Sequence, residues 1–185
     1  MNIQHKGTVT IETLRLILRR FEEKDASDMY LNWAGDPEVC KYLSWGPYSN
    51  EEVTRKRILA WISNYIRYNS YVWALELKRT GAAIGSISVE IADDKAGKCE
   101  VGYCLGKNYW KQGLMTEALV AVQHYLFYEI GYQTIQAKHD VLNIASGRVM
   151  QKAGMKYYKT LQQVGVRRDG TYYDCYLYVK HMDEE

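Results

Sequence analysis

Two short stretches carry residue types able to do chemistry. The first is Tyr109-Trp110-Lys111-Gln112-Gly113, which turns through a single glycine into an apolar run beginning at Leu114. The first turn of a helix leaves backbone N–H groups without intrahelical partners, and a glycine lets backbone pass close to a ligand. The N–H groups of residues 112 to 116, the positive end of the helix dipole and the Lys111 ammonium would together hold an anion such as a phosphate. A plain strand-to-helix turn uses glycine in the same way, and spacing alone does not separate the two readings. The second stretch is Asn143-Ile-Ala-Ser146-Gly-Arg-Val-Met-Gln-Lys152-Ala-Gly154. Asn143 stands where a helix cap belongs and Ser146 falls in the first turn, so both either cap that helix or face a ligand beside the first loop.

Both stretches need elements to hold them side by side. Leu14 to Arg19 alternates apolar and basic positions and predicts a strand with one buried face. Lys24 to Trp33 and Pro37 to Leu43 predict short helices, with Asp25 as a cap and Gly35-Asp36-Pro37 as a break. Ser49-Asn50-Glu51-Glu52 matches a Ser-x-x-Glu capping box and opens an amphipathic helix carrying Ile58, Ile62, Tyr65 and Ile66 on one side. Tyr71 to Lys78, Ala82 to Ala92 and Lys98 to Leu105 are β-rich and separated by good turn sequences, which predicts three antiparallel strands. Leu114 to Ile130 predicts the buried helix, ended by Gly131, with His124 partly inside the core. Thr134 to His139 reads as a strand and Ile144 to Ala153 as a second helix closed by Gly154. Lys156 to Val166 and Thr171 to His181 form a hairpin around Asp169-Gly170. A strand, a crossover helix and a strand want a parallel pair, while hairpins want antiparallel ones, so the sheet is expected to be mixed.

Composition narrows the function. At 185 residues the chain, 1–185, suits one domain able to bury its own core. Cys40, Cys99, Cys104 and Cys175 form no Cys-x-x-Cys pair and no Cys/His cluster at zinc spacing, which argues against a metal site and against a disulfide framework. The N-terminus lacks the apolar core of a signal peptide. The most apolar stretch, Ala118 to Phe127, is broken by Gln123 and His124 and is too short to span a bilayer, so a soluble cytoplasmic protein without a membrane partner is expected. A net charge of +2 without a long basic run gives no electrostatic case for nucleic-acid binding.

Taken together, Leu14-Arg15-Leu16-x-Leu18-Arg19, then Tyr103, Leu105, Tyr109-Trp110, Gly113 and Thr116-Glu117-Ala118, then Asn143-x-x-Ser146-x-x-Val149-x-x-Lys152-x-Gly154 resemble the GNAT superfamily of acetyl-CoA-dependent N-acetyltransferases. Within it the chain is most similar to the ribosomal-protein N-terminal acetyltransferase branch. The resemblance runs from Leu14 to about Val179. It implies an α/β (α+β) fold: one strongly twisted mixed sheet of about seven strands, flanked by helices, with a splayed strand pair that binds the cofactor. It also implies acetyl-CoA as co-substrate, no metal, an amine acceptor, and a monomer or homodimer.

Carried over by residue, the family's pyrophosphate loop falls on Trp110, Lys111, Gln112, Gly113, Leu114 and Met115, with Thr116 beside it. Its pantetheine-pairing strand falls on Tyr103, Cys104 and Leu105, and its asparagine and serine fall on Asn143 and Ser146. The wider superfamily prefers Gln or Arg at Trp110 and a small residue at Met115. Acetyl transfer needs a neutral amine, a donor for the oxyanion and departure of a thiolate. Glu100, in Cys-Glu-Val-Gly-Tyr where the branch has Ala-Glu-Ile-Gly-Tyr, is the expected base, with Glu90 in reserve; a salt-bridging strand glutamate is the other reading. Many superfamily members place a tyrosine where this chain has Met150, so Ser146 is expected to bond the leaving sulfur. Direct attack is expected rather than an acyl-enzyme on Cys104, and His139 is expected to be structural. Trp33, Tyr42, Trp45, Tyr48 and Trp61 on one side and Tyr172 to Tyr178 on the other are expected to wall the acceptor site. Glu76, Glu90, Glu100 or Asp174 there would suit a cationic amine. The alternative is a catalytically weak acyl-CoA-binding sensor.

Overall fold

The computed structural model describes residues 3–167 and 170–183. The chain runs β1 (Ile11–Glu12), β2 (Leu16–Arg19), α1 (Asp25–Met29), α2 (Pro37–Cys40), α3 (Glu51–Asn64), β3 (Val72–Leu77), β4 (Ala82–Asp93) and β5 (Lys98–Leu105). It continues through α4 (Leu114–His124), β6 (Thr134–Asp140), α5 (Ile144–Lys152), β7 (Lys156–Val166) and β8 (Tyr172–His181). The strands form one sheet in the order β1-β2-β3-β4-β5-β6-β8-β7, in which only β5 and β6 are parallel among the described residues.

Alternation along the central strands assigns side chains to two cores, one on each face. In β2 and β3, Leu16, Leu18, Trp73 and Leu75 turn toward α4, where they meet Leu114, Leu119, Val122 and Leu126. Ala74, Ala83 and Cys104 turn the other way, toward α1 and α3, and meet Phe21, Met29, Trp33 and Ile58. The small alanines on that face let helices approach closely. Both cores take residues from the middle of the sheet, Ile84, Ile87, Cys99 and Val101 on one face and Ala83 and Cys104 on the other, so β4 and β5 are packed from both sides.

Several local expectations change. The sheet has an eighth strand, the two-residue β1, too short to leave a periodic signal. Asn50, not Ser49, caps α3: it is extended and its side chain accepts from Val53 N–H at 3.2 Å. Asn caps as well as Ser, so the capping box lost to its neighbour. Asp25 is no cap; its carboxylate accepts from Glu22 N–H at 2.8 Å and grips the Arg19 guanidinium at 2.8 and 2.9 Å. α1 and α4 each continue as a wider π-helical turn, Tyr30–Ala34 and Tyr125–Ile130. His124 is exposed against the Tyr128 ring, and its neighbour Gln123 is the buried polar residue, accepting from Lys180 at 3.2 Å. Asp169, expected at the tip of the last hairpin, lies outside the described residues.

Candidate active site

The site begins where β5 and β6 part. Their parallel ladder pairs Lys98, Cys99 and Glu100 with Thr134, Ile135 and Gln136, and stops there. β6 continues against β8 while β5 continues against β4, so Val101 to Leu105 lack a partner on the β6 side. Backbone groups alternate direction along an antiparallel pair. Gly106 N–H donates to Ile84 O at 2.8 Å, and a Cβ on Gly85 would collide with Cys104 O, so even-numbered positions near this end face β4. Tyr103 and Leu105 therefore face the gap and Cys104 does not, a correction to the expected trio. The Leu105 carbonyl is already taken by the Trp110 indole N–H at 2.7 Å, which pins the following loop to the strand end.

The loop delivers the chain to α4 through two left-handed residues, Lys111 with φ 60° and Gly113 with φ 77°. Alternating conformations of this kind turn successive N–H groups to one side and make a concave anion receptor. The first intrahelical bond runs from Glu117 N–H to Gly113 O at 3.0 Å, so the N–H groups of Leu114, Met115 and Thr116 precede the ladder. Leu114 and Met115 bury their side chains in the core, so the length of Met115 does not obstruct the backbone.

Two residues that sequence reasoning did not assign hold this entrance. Glu117 accepts from the Thr13 hydroxyl at 2.6 Å, from Arg15 N–H at 2.8 Å and from the Arg15 guanidinium at 2.7 Å. Arg15 also donates to Gln112 O at 2.8 Å. Burial opposes the Glu117 charge, but these three donors outweigh it and hold the carboxyl below the usual range. Both residues stood in quoted motifs; their pairing across 102 positions left no local signal.

α5 closes the gap from the far side. Asn143 caps it, accepting from Ser146 N–H at 3.3 Å. The Tyr103 hydroxyl reaches across from β5 to Ser146, lying 2.9 Å from its carbonyl and 3.0 Å from its Oγ. Since a carbonyl only accepts, the Tyr103 proton can go there while Ser146 donates to the phenol oxygen. Burial raises the Tyr103 pKa, so the phenol stays protonated.

On the opposite face, Glu100 sits at the vertex of the fork and pairs with Lys138 Nζ at 2.6 Å. Glu90 is the extra residue of a β-bulge, because Val89 opposes Val101 and Ile91 opposes Glu100. Bulges re-aim side chains. This one lays the Glu90 carboxylate over Gly102, where a Cβ would come within 3.0 Å of Oε1, and Ser88 donates to the same oxygen. Glu76 is instead bound to Arg19 at 2.5 Å, and Asp174 accepts from Gln163 N–H at 2.9 Å. A cavity of about 350 Å³ opens on this face between the segment after α2 and the β7–β8 hairpin, with Tyr42, Trp45 and Tyr173 among its walls. Trp33 and Trp61 do not wall it: Trp33 is fully buried in the second core and Trp61 packs on Phe21. The Cys104 thiol is buried in that core and burial raises its pKa, which makes it a poor nucleophile. His139 is buried against α5, its Nδ1 on the Asp140 carbonyl at 2.8 Å.

Residues 15–156, which include the open strand edge, the fork and the α4 entrance, match the acetyltransferase (GNAT) domain family. The chain belongs to the GNAT acetyltransferase family. It is similar to the uncharacterized N-acetyltransferase p20 of Bacillus licheniformis, 28% identical with 91% of this chain and 94% of that one covered. An acetyltransferase of the GNAT family from Bacillus anthracis superposes with a TM-score of 0.83 at 25% identity, covering 95% of this chain and 100% of that one. A proposed ribosomal-protein-serine acetyltransferase from Vibrio cholerae gives 0.80 at 17% identity, over 95% and 99%, a likeness of fold. This GNAT chain is an acetyl-CoA-dependent acetyltransferase. No helix among its described residues is long and apolar enough to cross a membrane.

Proposed function

We propose that this acetyltransferase moves the acetyl group of acetyl-CoA directly to a primary amine, either a protein N-terminal α-amine or a small-molecule amine. The carrying observation is the gap-facing backbone of Tyr103 and Leu105, of which the Leu105 carbonyl is held by the Trp110 indole N–H; this edge leads from the fork toward the α4 entrance. In this reading the diphosphate rests on the amides of residues 112 to 116, with Lys111 adding charge and Trp110 fixing the loop. The pantetheine amides pair with the β5 edge as an added strand. Asn143 and Ser146 bound the far side of the thioester.

The amine lone pair attacks the thioester carbon, a C–N bond forms, and the oxyanion takes a hydrogen bond from a gap-facing N–H of β5. The C–S bond then breaks. The Ser146 hydroxyl turns from Tyr103 to the departing sulfur, while the amine proton leaves through water to Glu100. An α-amine, which ordinarily titrates near ~8, needs less help than a lysine near ~10.4. Glu100 has one oxygen on Lys138, so Glu90, aimed by its bulge and accepting from Ser88, is the second reading for the base. Ser146 at the gap and the carboxylates of Glu100 and Glu90 near the fork favour turnover over an inactive sensor.

A panel of peptides with free N-termini, polyamines and aminoglycosides, assayed for released thiol, tests the proposal. Acetylation of one class is expected. A panel in which acetyl-CoA raises the melting temperature but no amine releases thiol would favour the sensor. Glu100→Gln and Glu90→Gln then separate the bases: the true base loses more turnover at pH 7 than at pH 9, and a pH-independent loss removes that residue.

A further inference from the structure

The cavity beside the fork is not built for a polycation. Among the described residues, three charged side chains line it: Lys41, Arg167 and Asp140. Asp140 is buried and both its oxygens are engaged, one by Leu142 N–H at 2.9 Å and the other by the Arg167 guanidinium. That guanidinium also lies 4.7 Å from the centre of the Tyr173 ring, so its position is fixed from two sides. Lys41 makes no ion pair among the described residues, and its Nζ lies 5.1 Å from the centre of the Tyr42 ring. Among the described residues, two cations against one saturated carboxylate leave the cavity lining one positive charge in excess. An ammonium entering it finds no open carboxylate among the described residues, whereas an anion finds the remaining N–H donors of Arg167 and the Lys41 ammonium.

The cavity also stands in line with the chemistry. Lys138 and Asp140 are two apart on β6 and so share one face of the sheet. The first holds Glu100 at the fork and the second holds Arg167 at the cavity. A substrate on this face therefore has a basic end by the two carboxylates and a second end, one strand repeat or more away, by the two cations. Tyr42, Trp45 and Tyr173 supply a flat wall between.

We infer that the acceptor is a small amine carrying an anionic group, a carboxylate or a phosphate, at the end of an aromatic or apolar body. Lys41 and Arg167 select it by that group. The inference deepens the proposed acetyl transfer and rests on it for the placement of the amine.

Three probes of one shape test it: 2-phenylethylamine, 4-(2-aminoethyl)benzoate and tyramine phosphate, with spermidine as the cationic competitor. Each is titrated by calorimetry into the enzyme saturated with CoA and assayed for acetylation. At least one anionic probe is expected to bind about tenfold or more tightly than 2-phenylethylamine, and the benzoate and phosphate arms tell which anion is preferred. Lys41→Gln should reduce that ratio below about threefold, and 0.5 M salt should do the same. Arg167→Lys, which keeps the charge opposite Asp140, should weaken the preference without unfolding the protein. Equal affinities, no binding by any probe, tightest binding by spermidine, or a ratio untouched by Lys41→Gln would each overturn the inference. A preserved anion preference without thiol release would instead leave the anion site standing and count against the acetyl-transfer reading.

Discussion

The two ends of the gap between β5 and β6 are made differently. The α4 entrance is made of backbone: left-handed Lys111 and Gly113, three amides ahead of the helical ladder, and a clamp of Arg15 and Glu117 behind them. The acceptor face is made of side chains: a bulged Glu90, a paired Glu100 and a cavity walled by aromatic rings from distant segments. A receptor made of backbone groups depends little on side-chain identity, so it suits the acetyl-CoA proposed for this end. Side-chain receptors vary and choose. The same chain can therefore be a familiar acetyltransferase at one end and carry its own substrate preference at the other.

Substitutions at each end should separate these roles. Gly113→Val puts a β-branched residue at positive φ, with Arg15 Nη2 already 3.5 Å from the Cβ position, so strain of ~1–3 kcal/mol either reshapes the loop or unfolds it locally. Acetyl-CoA affinity should fall by about 100-fold in calorimetry, with acceptor binding little changed. Equal losses at both ends would break the division.

Ser146→Ala should lower kcat by about 10–100-fold while leaving the KM for acetyl-CoA close to its original value, because in the proposed mechanism the hydroxyl bonds the leaving sulfur. Tyr103→Phe removes the partner that holds Ser146 and should cost less, about tenfold. A Tyr103→Phe enzyme with full kcat would show that the bridge is only structural.

Glu117→Gln tests the clamp. It replaces an anion that takes three donors and should cost ~2 kcal/mol in denaturant unfolding. Because the folded-state pKa of Glu117 is lowered, its contribution is present at neutral pH and fades as pH falls below the ordinary carboxylate range, ~4.3. The Gln variant should lose that part of the acid sensitivity.

The smallest effect belongs to His139. Burial, opposed by the Asp140 carbonyl and charge, lowers its pKa. The unfolded chain then binds a proton that the fold refuses, so stability is full above ~6.5 and declines as pH falls from there toward the folded value. His139→Asn should flatten that decline in melting curves between pH 7 and pH 5; an unchanged slope would assign it elsewhere.

Most elements were legible because periodicity and turn chemistry act over a few residues. The α4 helix, its Gly113 start and its Gly131 end were read from spacing, and α5 with its Asn143 cap likewise. Failures came where two local solutions compete or where contact is long-range. Ser49 and Asn50 are adjacent caps and only the helix's tertiary seat chooses between them. Gln123 and His124 differ by one position of helix phase, and a π-helical turn follows at once. The bulge at Glu90 depends on register with β5, and the Arg15–Glu117 clamp on packing across the chain. The direction of the Cys104 backbone is likewise a property of the β4–β5 register.

In the proposed reaction the amides at the start of α4 bind the diphosphate of acetyl-CoA. Titration calorimetry with acetyl-CoA and with acetyl-pantetheine, which lacks the diphosphate and nucleotide, tests it directly. Acetyl-pantetheine is expected to bind at least about 100-fold more weakly, and the two ligands to bind Gly113→Val with near-equal affinities. Equal affinities in the unmodified protein would contradict it.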